Sequence, residues 1–522
     1  MRIRIARTLS ALTALGAAAA CTDEVRSPTP LEPAAKPSLG AAQTNDGAPP
    51  GQGRGRKIPD QYIVTMRPGP QVASATTVAE RAGVTPQRLY SYAINGFAAR
   101  LTAAQVQQLA RDPNVQSVVQ DEEAYPVQDE AFPGTLQGGA VWGLDRTDQL
   151  SLPLNGLYQY TTRGLGVRVY ILDTGIRTSH NEFDGAAVNR AVDGYDFIDN
   201  DAVAQDCNGH GTHVAGTVGG TTYGVAKAAT LVGVRVFGCS GGSPYSTIIA
   251  AVDWVIADKI RRNTPAVVNM SLSGGQFDPM DAATNNLSAY GIVPVVAAGN
   301  NSGADACFSS PAAATTALTI GATNSTDSRA AFSNIGTCVD LFAPGESVVS
   351  SWWTSDGATA VLSGTSMATP HVAGMAALFL SANPSATPGL VGEVIRDGAS
   401  IGYVINAGAG SPNLLLHKNN GRLITNATGV QPWNSYYYST PAGTHQAWLR
   451  STSGTGSCAK LYLDRWDPTT ATWLVASSST SCSSSKTMSF TSTLTGRYWR
   501  WRVLNSSTTI SPTDYEIFIR RP

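Results

Sequence analysis

The chain has 522 residues, of which 42% are hydrophobic and 14% charged, and its formal net charge is -1. At roughly 100 to 200 residues per domain, this length predicts two to four domains, and three is our working number. A chain with so few charges lacks the concentrated basic surface that a phosphate backbone requires, which excludes nucleic acid as its main partner.

The N-terminal 21 residues have the pattern of a secretory signal peptide. Arg2, Arg4 and Arg7 precede an apolar, alanine-rich run at 9–20, which is shorter than a membrane span. No later run of about 18 uncharged apolar residues follows, so we expect an extracellular protein without a transmembrane helix. Cys21 is the extra residue in an odd set of seven cysteines. It is either removed with the signal or lipidated, in which case it would anchor the protein outside the cytoplasm.

Composition divides the rest of the chain into four segments. Residues 22–57 are rich in Pro, Ala, Gly, Ser and Gln and predict a disordered linker. Residues 58–125 combine short strand and helix patterns, typical of a small α+β (ferredoxin-like) unit. Residues 126–417 alternate apolar β-branched runs with helical ones, which predicts a parallel sheet covered on both faces. Residues 424–522 consist of short alternating runs rich in Ser and Thr, which predicts a small β-sandwich.

The largest segment contains four candidate central strands, VRVYIL, LVGVRVF, AVVNMSL and IVPVVAA. Between them lies YSTIIAAVDWVIADKIRR, whose apolar residues repeat at helical spacing along one face. They are Ile248, Ile249, Val252, Val255 and Ile256. This run predicts a crossover helix rather than a functional site.

A serine, a histidine and an aspartate in this segment have the chemistry of nucleophilic catalysis. Ser366 lies in SGTSMATPHVAG, and its hydroxyl is a poor nucleophile unless a base removes its proton. His210 stands where a glycine-flanked turn enters a helix, and Asp173 ends the apolar strand of YILDTGI. Residue types alone therefore suggest that Ser366 attacks, His210 moves the proton and Asp173 holds the imidazole.

Three motifs carry a family resemblance. VYILDTGI, GHGTHVAG and GTSMATPHVAG, in this order, resemble the signature blocks of the subtilisin-like serine proteases. The resemblance covers residues 58 to about 417 and is nearest to the proteinase K and aqualysin branch, judged by WGLDRTDQ, AAGNN and the cysteine spacing. It implies a doubly wound α/β domain and a secreted serine endopeptidase of broad specificity with an acyl-enzyme intermediate. It also implies that Asn300 donates to the oxyanion beside the backbone N–H of Ser366.

Three of the other five histidines need a separate interpretation. His213 lies one helical turn after His210, and His180 follows the Asp173 turn. His371 lies on the helix of Ser366 but five residues on, where its side chain points away from the serine. We expect all three to be structural.

The resemblance further implies that a peptide binds as an added strand between two exposed edges. One edge is Ser271, Leu272 and Ser273, the other is Gly241, Gly242 and Ser243, and the wall of the primary pocket is Ala297, Ala298 and Gly299. The small wall residues leave room for a large apolar or aromatic group. Ser273 stands where the family usually has glycine, so a side chain beside the bound backbone changes the fine specificity.

Six cysteines remain after Cys21, and their spacing resembles the local pairings of the aqualysin branch. We predict the disulfides Cys207–Cys239, Cys307–Cys338 and Cys458–Cys482 rather than a metal site.

Calcium is the only cofactor that the resemblance implies, without an organic cofactor. One implied site comprises Asp340 and the backbone carbonyls of Thr315 and Ala317. A second candidate comes from the residues of WGLDRTDQLSLPLNG, where Asp145, Asp148, Gln149 and Asn155 surround an ion, and its alternative is an N-terminal capping turn.

The flanking segments complete the prediction. By the resemblance, 58–125 is an inhibitory propeptide whose last strand lies in the active-site cleft until cleavage near Tyr125. The expected partners are therefore protein substrates and the chain's own propeptide, and we expect a monomer. Six of the ten tryptophans are in the C-terminal segment, where they either form a platform for polysaccharide or insoluble protein or fill a small core. They are Trp433, Trp448, Trp466, Trp473, Trp499 and Trp501.

Two rival functions remain. A catalytically silent binding protein with the same fold is disfavoured because all three catalytic residues and Asn300 are present. An esterase using the same triad needs a Gly-x-Ser-x-Gly elbow, which GTSMA does not supply.

Overall fold

The structure is a computed structural model that describes most of the chain after residue 56. The described residues are 57–68, 73–126, 129–132, 139–160, 162–183, 189–418, 420–423, 425–426, 429–430, 433–439, 442–451, 459–467, 472–480, 485–494, 497–505 and 513–521. The predicted signal peptide, Cys21, the linker up to residue 56 and the pair Cys458 and Cys482 lie outside them. Within these ranges, no helix is both long and apolar enough to cross a membrane.

The N-terminal unit is an antiparallel sheet in the order β4-β1-β3-β2 with two helices. Its elements are β1 (Lys57–Met66), α1 (Ala75–Arg81), β2 (Arg88–Tyr90), β3 (Gly96–Arg100), α2 (Ala103–Ala110) and β4 (Val115–Pro126). Thr102 and Gln105 form a capping box that begins α2. Val64, Phe97 and Leu109 are buried in its core, so the α+β prediction is confirmed.

The central unit contains six α-helices and fifteen strands in its described part. The helices are α3 (Trp142–Thr147), α4 (His210–Gly219), α5 (Tyr245–Arg262), α6 (Asp278–Ala289), α7 (Thr365–Ala382) and α8 (Pro388–Gly398). The strands are β5 (Asp129–Phe132), β6 (Arg168–Asp173), β7 (Ala191–Asp196), β8 (Thr230–Arg235), β9 (Ser243–Pro244), β10 (Ala266–Met270), β11 (Leu272–Gly275), β12 (Ile292–Ala297), β13 (Ser309–Ser310), β14 (Leu318–Thr323), β15 (Leu341–Pro344), β16 (Val348–Ser351), β17 (Thr359–Ser363), β18 (Ser400–Ile401) and β19 (Leu414–Leu415).

Nine of these strands form one sheet in the order β18-β19-β15-β14-β12-β10-β6-β8-β7. The pairing is parallel except for β18, which runs antiparallel to β19. Apolar residues of α4 and α7 pack on one face, and those of α5 and α6 pack on the other. Because both faces are covered, the central strands are apolar throughout. This is the predicted doubly wound α/β architecture, whose ligand sites lie at the carboxyl ends of the strands.

The C-terminal unit has two four-stranded antiparallel sheets, β20-β29-β24-β27 and β23-β28-β25-β26, and a small hairpin of β21 and β22. The strands are β20 (Asn420–Leu423), β21 (Thr425–Asn426), β22 (Gly429–Val430), β23 (Trp433–Ser439), β24 (Gly443–Ser451), β25 (Ala459–Asp467), β26 (Thr472–Ser479), β27 (Ser485–Ser492), β28 (Arg497–Asn505) and β29 (Thr513–Arg520). Leu449 and Ile519 of one sheet share a core with Leu463, Trp499 and Trp501 of the other. The unit is therefore a β-sandwich.

The tryptophans of the sandwich have different environments. Trp499 and Trp501 are buried in its core, as the core-filling alternative predicts. Trp448 packs instead against α7 of the central unit. Trp466 and Trp473 are half-buried and contact each other edge to face. Two rings at this angle do not form a flat platform on which a ligand could stack.

Candidate active site

The first two predicted catalytic residues form a hydrogen-bonded pair. Asp173 is the last residue of β6 and His210 the first of α4, and Nδ1 of His210 lies 2.7 Å from Oδ1 of Asp173. Both side chains are fully buried. Because a carboxylate accepts, Nδ1 carries the proton, and Nε2 of a neutral ring can then act as a base.

Glycine is required immediately before His210. Gly209 has φ of 113°, in the left-handed region, and a Cβ there would overlap the rings of Trp352 and Trp353. The glycine thus lets α4 begin beside the hairpin of β16 and β17.

Asp206 is a functional residue that the sequence analysis missed. Its Oδ1 accepts hydrogen bonds from Thr174 Oγ1 at 2.9 Å and from the N–H of Gly209 at 2.8 Å. Its Oδ2 accepts from the N–H and the hydroxyl of Thr212 at 2.9 and 2.6 Å. Burial raises the pKa of Asp206, and these hydrogen bonds oppose that rise. One carboxylate therefore ties the start of α4 to the residue after Asp173. No cap pattern marked Asp206, since a capping residue stands directly before the helix, where this chain has Gly209.

Ser366 lies in the first turn of α7 and is tied to the strand segment before β11. Its Oγ donates to the carbonyl of Ser271 at 3.0 Å, and Oγ of Ser271 donates to the carbonyl of Ser366 at 2.8 Å. Both residues are buried. The predicted nucleophile is therefore held against the predicted substrate-binding edge.

Two further contacts hold α4 near the start of α7. Nε2 of His213 lies 3.0 Å from the carbonyl of Val348 in β16, to which it donates. Oγ of Ser351 donates to the carbonyl of Thr212 at 2.9 Å. Because β16 pairs with β17, which leads directly into α7, these bonds position the helices of His210 and Ser366 relative to each other.

Asn300 has one end of its amide fixed and the other unsatisfied. Its Oδ1 accepts from the N–H and the hydroxyl of Thr365, at 3.0 and 2.9 Å. These donors fix the amide orientation. Its Nδ2 is buried and has no hydrogen-bond partner among the described residues. An unsatisfied donor on a side chain that is hydrogen-bonded to Thr365, the residue before Ser366, suits a developing oxyanion.

The two predicted edges flank the end of β4. Tyr125 and Pro126 pair antiparallel with Ser273 and Leu272 of β11, and Glu123 and Ala124 pair with Pro244 and Ser243 of β9. Gly241 and Gly242 precede β9, outside the pairing. The last propeptide strand thus occupies the cleft between β9 and β11, as a bound peptide would.

The predicted pocket wall follows β12. Ala297 ends that strand, Ala298 donates its N–H to the carbonyl of Ile320, and Gly299 has φ of 101°. Oγ of Ser273 lies 3.2 Å from where a Cβ on Gly299 would be. The Ser273 hydroxyl therefore borders the wall.

The propeptide sheet is also held on α5 and α6. Oδ1 of Asp253 accepts the N–H groups of Ser91 and Ala93 at 2.8 and 2.9 Å, and that of Tyr92 between them. Nδ2 of Asn286 donates to the carbonyl of Ala93 at 3.0 Å. These polar contacts lie outside the cleft, so the unit has anchors besides its last strand.

The three histidines that we expect to be structural make contacts of that kind. His213 and His371 are buried, which lowers the pKa of His213 to about 3 and that of His371 to about 4. Nδ1 of His371 donates to the carbonyl of Met367 at 2.8 Å, and Nε2 of His180 donates to the carbonyl of Ala358 at 2.8 Å. Rings that are bonded to backbone carbonyls fit the structural role predicted for them.

Two of the predicted disulfides are present. Cys207 is bonded to Cys239 and Cys307 to Cys338, with Cα–Cα distances of 5.0 and 5.3 Å. The first joins the segment before α4 to the loop before β9. It therefore links the His210 side of the cleft to one substrate-binding edge.

The two predicted calcium sites differ in how well they fit a cation. In the described part of the chain, no three His, Cys, Asp or Glu side chains cluster as metal ligands. Asp145 Oδ2 accepts the N–H of Gly156 at 2.7 Å, while its Oδ1 is buried with no partner among the described residues. Asp148, one turn along, accepts from the N–H of Gln159 at 2.6 Å and from Nε2 of Gln149 at 3.2 Å. A buried carboxylate oxygen without a donor, beside a second carboxylate, fits calcium.

The site at Asp340 fits less well. Its Oδ2 accepts the N–H of Thr319 at 2.8 Å, and Nη1 of Arg396 lies 3.3 Å from its Oδ1. A guanidinium already neutralises this carboxylate, and a divalent cation beside it would be repelled. We therefore assign no calcium to Asp340, Thr315 and Ala317.

Comparison with known proteins decides the family. The family model described as "Subtilase family" matches residues 164–429, and the model described as "Peptidase inhibitor I9" matches residues 61–125. The chain belongs to the subtilase family. This confirms the assignment from the three motifs, including its proteinase K and aqualysin branch, and makes the protein a serine endopeptidase with an I9 propeptide domain. The silent binding protein and the esterase are thereby set aside.

Relatives and one solved structure show how far the similarity extends. The chain is 49% identical to an extracellular serine proteinase of Thermus sp. (strain Rt41A), over 67% of this chain and 82% of that protein. It is 45% identical to alkaline serine exoprotease A of Vibrio alginolyticus, over 69% and 67%, and 39% identical to proteinase R of Parengyodontium album, over 75% and 97%. The crystal structure of a cold adapted subtilisin-like serine proteinase is 49% identical and covers 54% of this chain and 98% of its own, with a TM-score of 0.51.

Proposed function

We propose that this subtilase is a secreted endopeptidase that hydrolyses peptide bonds of broad sequence through Asp173, His210 and Ser366. The observation that carries the proposal is the 2.7 Å contact between Oδ1 of Asp173 and Nδ1 of His210, which sets the tautomer that catalysis needs. Export is supported by the relative from Thermus, which is named an extracellular proteinase.

The reaction follows from these groups. Ser366 Oγ attacks the peptide carbonyl while its proton passes to Nε2 of His210, and Asp173 stabilises the imidazolium. Asn300 Nδ2 and the backbone N–H of Ser366 donate to the oxyanion. The imidazolium then protonates the leaving amine, and a water molecule, activated by His210, hydrolyses the acyl-enzyme.

Broad specificity follows from how the substrate is held. A peptide that pairs with β9 and β11 as β4 does is bound mainly through its backbone, whatever its side chains. Ser273 then biases the choice of side chain near the pocket wall.

The fate of Ser366 tests the assignment. Ser366→Ala should lose covalent labelling by a fluorophosphonate and hydrolysis of casein, by orders of magnitude, because only an activated serine reacts. Ser381→Ala is the matched control, since Ser381 lies on the same helix and its Oγ bonds the carbonyl of Leu165. The control should retain both signals. A labelled Ser366→Ala variant with intact casein hydrolysis would refute the assignment.

The pairing of the chain around Ser366 predicts the processing site. β4 pairs with β11 up to Pro126, and β5 begins at Asp129 opposite Ser363, three residues before Ser366. We therefore expect self-cleavage between Pro126 and Asp129, so that the mature protein begins at residue 127, 128 or 129. N-terminal sequencing of the active protein identifies its first residue, and a first residue outside 127–129 would contradict the prediction.

An intact mass of the exported precursor would show whether Cys21 is removed or lipidated.

A further inference from the structure

An open depression lies at the amino ends of the sheet, away from the catalytic groups. It is lined by Gly166, Arg168, Thr230, Arg261, Arg262 and Thr264, and its volume is about 550 Å³. We call it the arginine depression. Arg168 begins β6, whereas Asp173 ends it, so the two residues are about 17 Å apart along the strand. The depression therefore lies away from the cleft.

The arginine depression concentrates positive charge. Three of its lining residues are arginines, and none of those the structure describes there is acidic. The same three arginines share one carboxylate, that of Asp258, with Arg262 at 3.0 Å, Arg168 at 3.8 Å and Arg261 also in contact. The carboxyl end of α5 adds about half a negative charge. A surplus of roughly one and a half positive charges remains.

Asp258 is ionised in this count. Burial by itself would raise its pKa, but hydrogen bonds from Arg261, Tyr170 and Arg262 hold that pKa below its usual value. Since Asp258 is 3% exposed, it lies beneath the arginines rather than in the depression.

The polar groups of the depression divide into two buried donors without an acceptor and two exposed guanidinium groups. Nε of Arg168 and Oγ1 of Thr264 are buried without a hydrogen-bond partner in the described part of the molecule. The side chains of Arg261 and Arg262 are 69% and 46% exposed, so their guanidinium groups reach solvent. The uncompensated charge of these exposed guanidinium groups favours an anionic ligand with several acceptor oxygens.

We propose that the arginine depression binds a multiply charged oxyanion, a phosphate or sulfate group. A guanidinium group can donate two parallel hydrogen bonds to two oxygens of such a group, whereas a halide ion offers only one acceptor atom. The volume is more than ten times the ~30 Å³ of one water molecule, so a polyatomic anion fits, alone or as part of a larger molecule. The site is a second binding surface on the protease, on the side opposite the cleft.

The test is binding of sulfate to the full chain carrying Ser366→Ala, which prevents autolysis and makes the result independent of the catalytic assignment. Sulfate should raise the Tm in a saturable way at ionic strength held constant with sodium chloride. Arg168→Gln and Arg261→Gln should each weaken this apparent affinity at least tenfold. Because Arg261 is exposed, Arg261→Gln should fold normally, and it still tests the site if Arg168→Gln does not fold.

Arg177→Gln is the matched control, because Arg177 also pairs with a single carboxylate, at 2.8 Å from Asp356, but near the opposite end of the sheet. It should bind sulfate like the parent. Since sulfate stabilises proteins in general, only the difference between variants carries the result. Equal Tm shifts in the parent, Arg261→Gln and Arg168→Gln, or none beyond chloride, overturn the proposal.

Dextran sulfate distinguishes the source of the group. Binding at far lower sulfate-group concentration than the free ion indicates a polymer-borne ligand, and equal potency per sulfate group indicates a free ion. Both outcomes support an oxyanion site, whereas absence of binding by both probes overturns it.

Discussion

At the scale of single residues, the amide of Asn300 shows how a neighbour sets the direction of a donor. Both hydrogen bonds to its Oδ1 come from Thr365, so its buried Nδ2 is left without a partner among the described residues and would face the oxyanion in the reaction that we propose. A donor oriented before the reaction needs no reorganisation in the transition state. The adjacent Asn301 differs, since its Oδ1 lies 3.4 Å from Nδ2 of Asn334.

Asn300→Ala should therefore lower kcat by about 10² to 10³, or roughly 2.7 to 4 kcal/mol, with KM little changed. Steady-state kinetics on a peptide substrate measure both constants. Asn301→Ala, the adjacent amide, is the control and should change kcat much less. A similar fall in kcat for the two variants would argue for a general loss of structure.

At the scale of elements, the short helix α3 and the loop after it form the better calcium candidate. Burial raises the pKa of Asp145, because its environment penalises the charged carboxylate. A divalent cation bound beside Asp145 would offset that penalty, since its charge favours the ionised carboxylate. The structure leaves Oδ1 of Asp145 for such a ligand and pairs Asp340 with Arg396 instead.

Calcium removal should consequently destabilise the protein through Asp145. With calcium at about 100 times its Kd, binding contributes about 2.7 kcal/mol, so a chelator should lower the Tm by about 5 to 10 °C. Asp145→Asn should remove most of this chelator effect, and Asp340→Asn should leave it. Thermal unfolding in the Ser366→Ala background measures it. An undiminished chelator effect in Asp145→Asn would exclude this site.

At the scale of the whole molecule, the β-sandwich covers the end of α7 that is remote from Ser366. Phe379 of α7 lies against Trp448 and Phe518 of the sandwich, with ring centroids 5.3 and 4.9 Å away. The N–H of Arg521 donates to Oδ2 of Asp397 at 2.8 Å. Since α7 has 18 residues, it is about 27 Å long, which keeps this interface away from the cleft.

Loss of the aromatic contact should release the sandwich without changing catalysis. Phe518→Ala should weaken the interface by about 3 to 5 kcal/mol, because a large buried ring is removed. We expect faster proteolytic separation near residue 419, a lower Tm and a kcat/KM on small peptides within about twofold of the parent. Phe490→Ala is the control, since Phe490 packs inside the sandwich near Trp499. Equal rates of separation in both variants would show that sandwich stability, not docking, governs release.

Much of the fold and site could be predicted because the signals are local. The strand before Asp173, the glycine before His210 and the small residues around Ser366 appear as short motifs, since each reflects the geometry of a strand end or helix start. Asp206 was missed because its role depends on Thr174 and Thr212, which only the folded chain brings to one carboxylate. Sequence spacing carries no record of such a convergence.

By itself, the sequence determined the family and the α/β architecture, and it supplied the candidates for the catalytic groups, because strand, cap and glycine patterns are set by neighbouring residues. Only the tertiary structure decided which tryptophans fill the sandwich, that Arg396 stands beside Asp340, and that Arg168 joins Arg261 and Arg262 around Asp258. Those outcomes depend on which distant segments pack together and which charges they bring into contact. Burial and Coulomb interactions across a parallel sheet are long-range in sequence, so no local pattern encodes them.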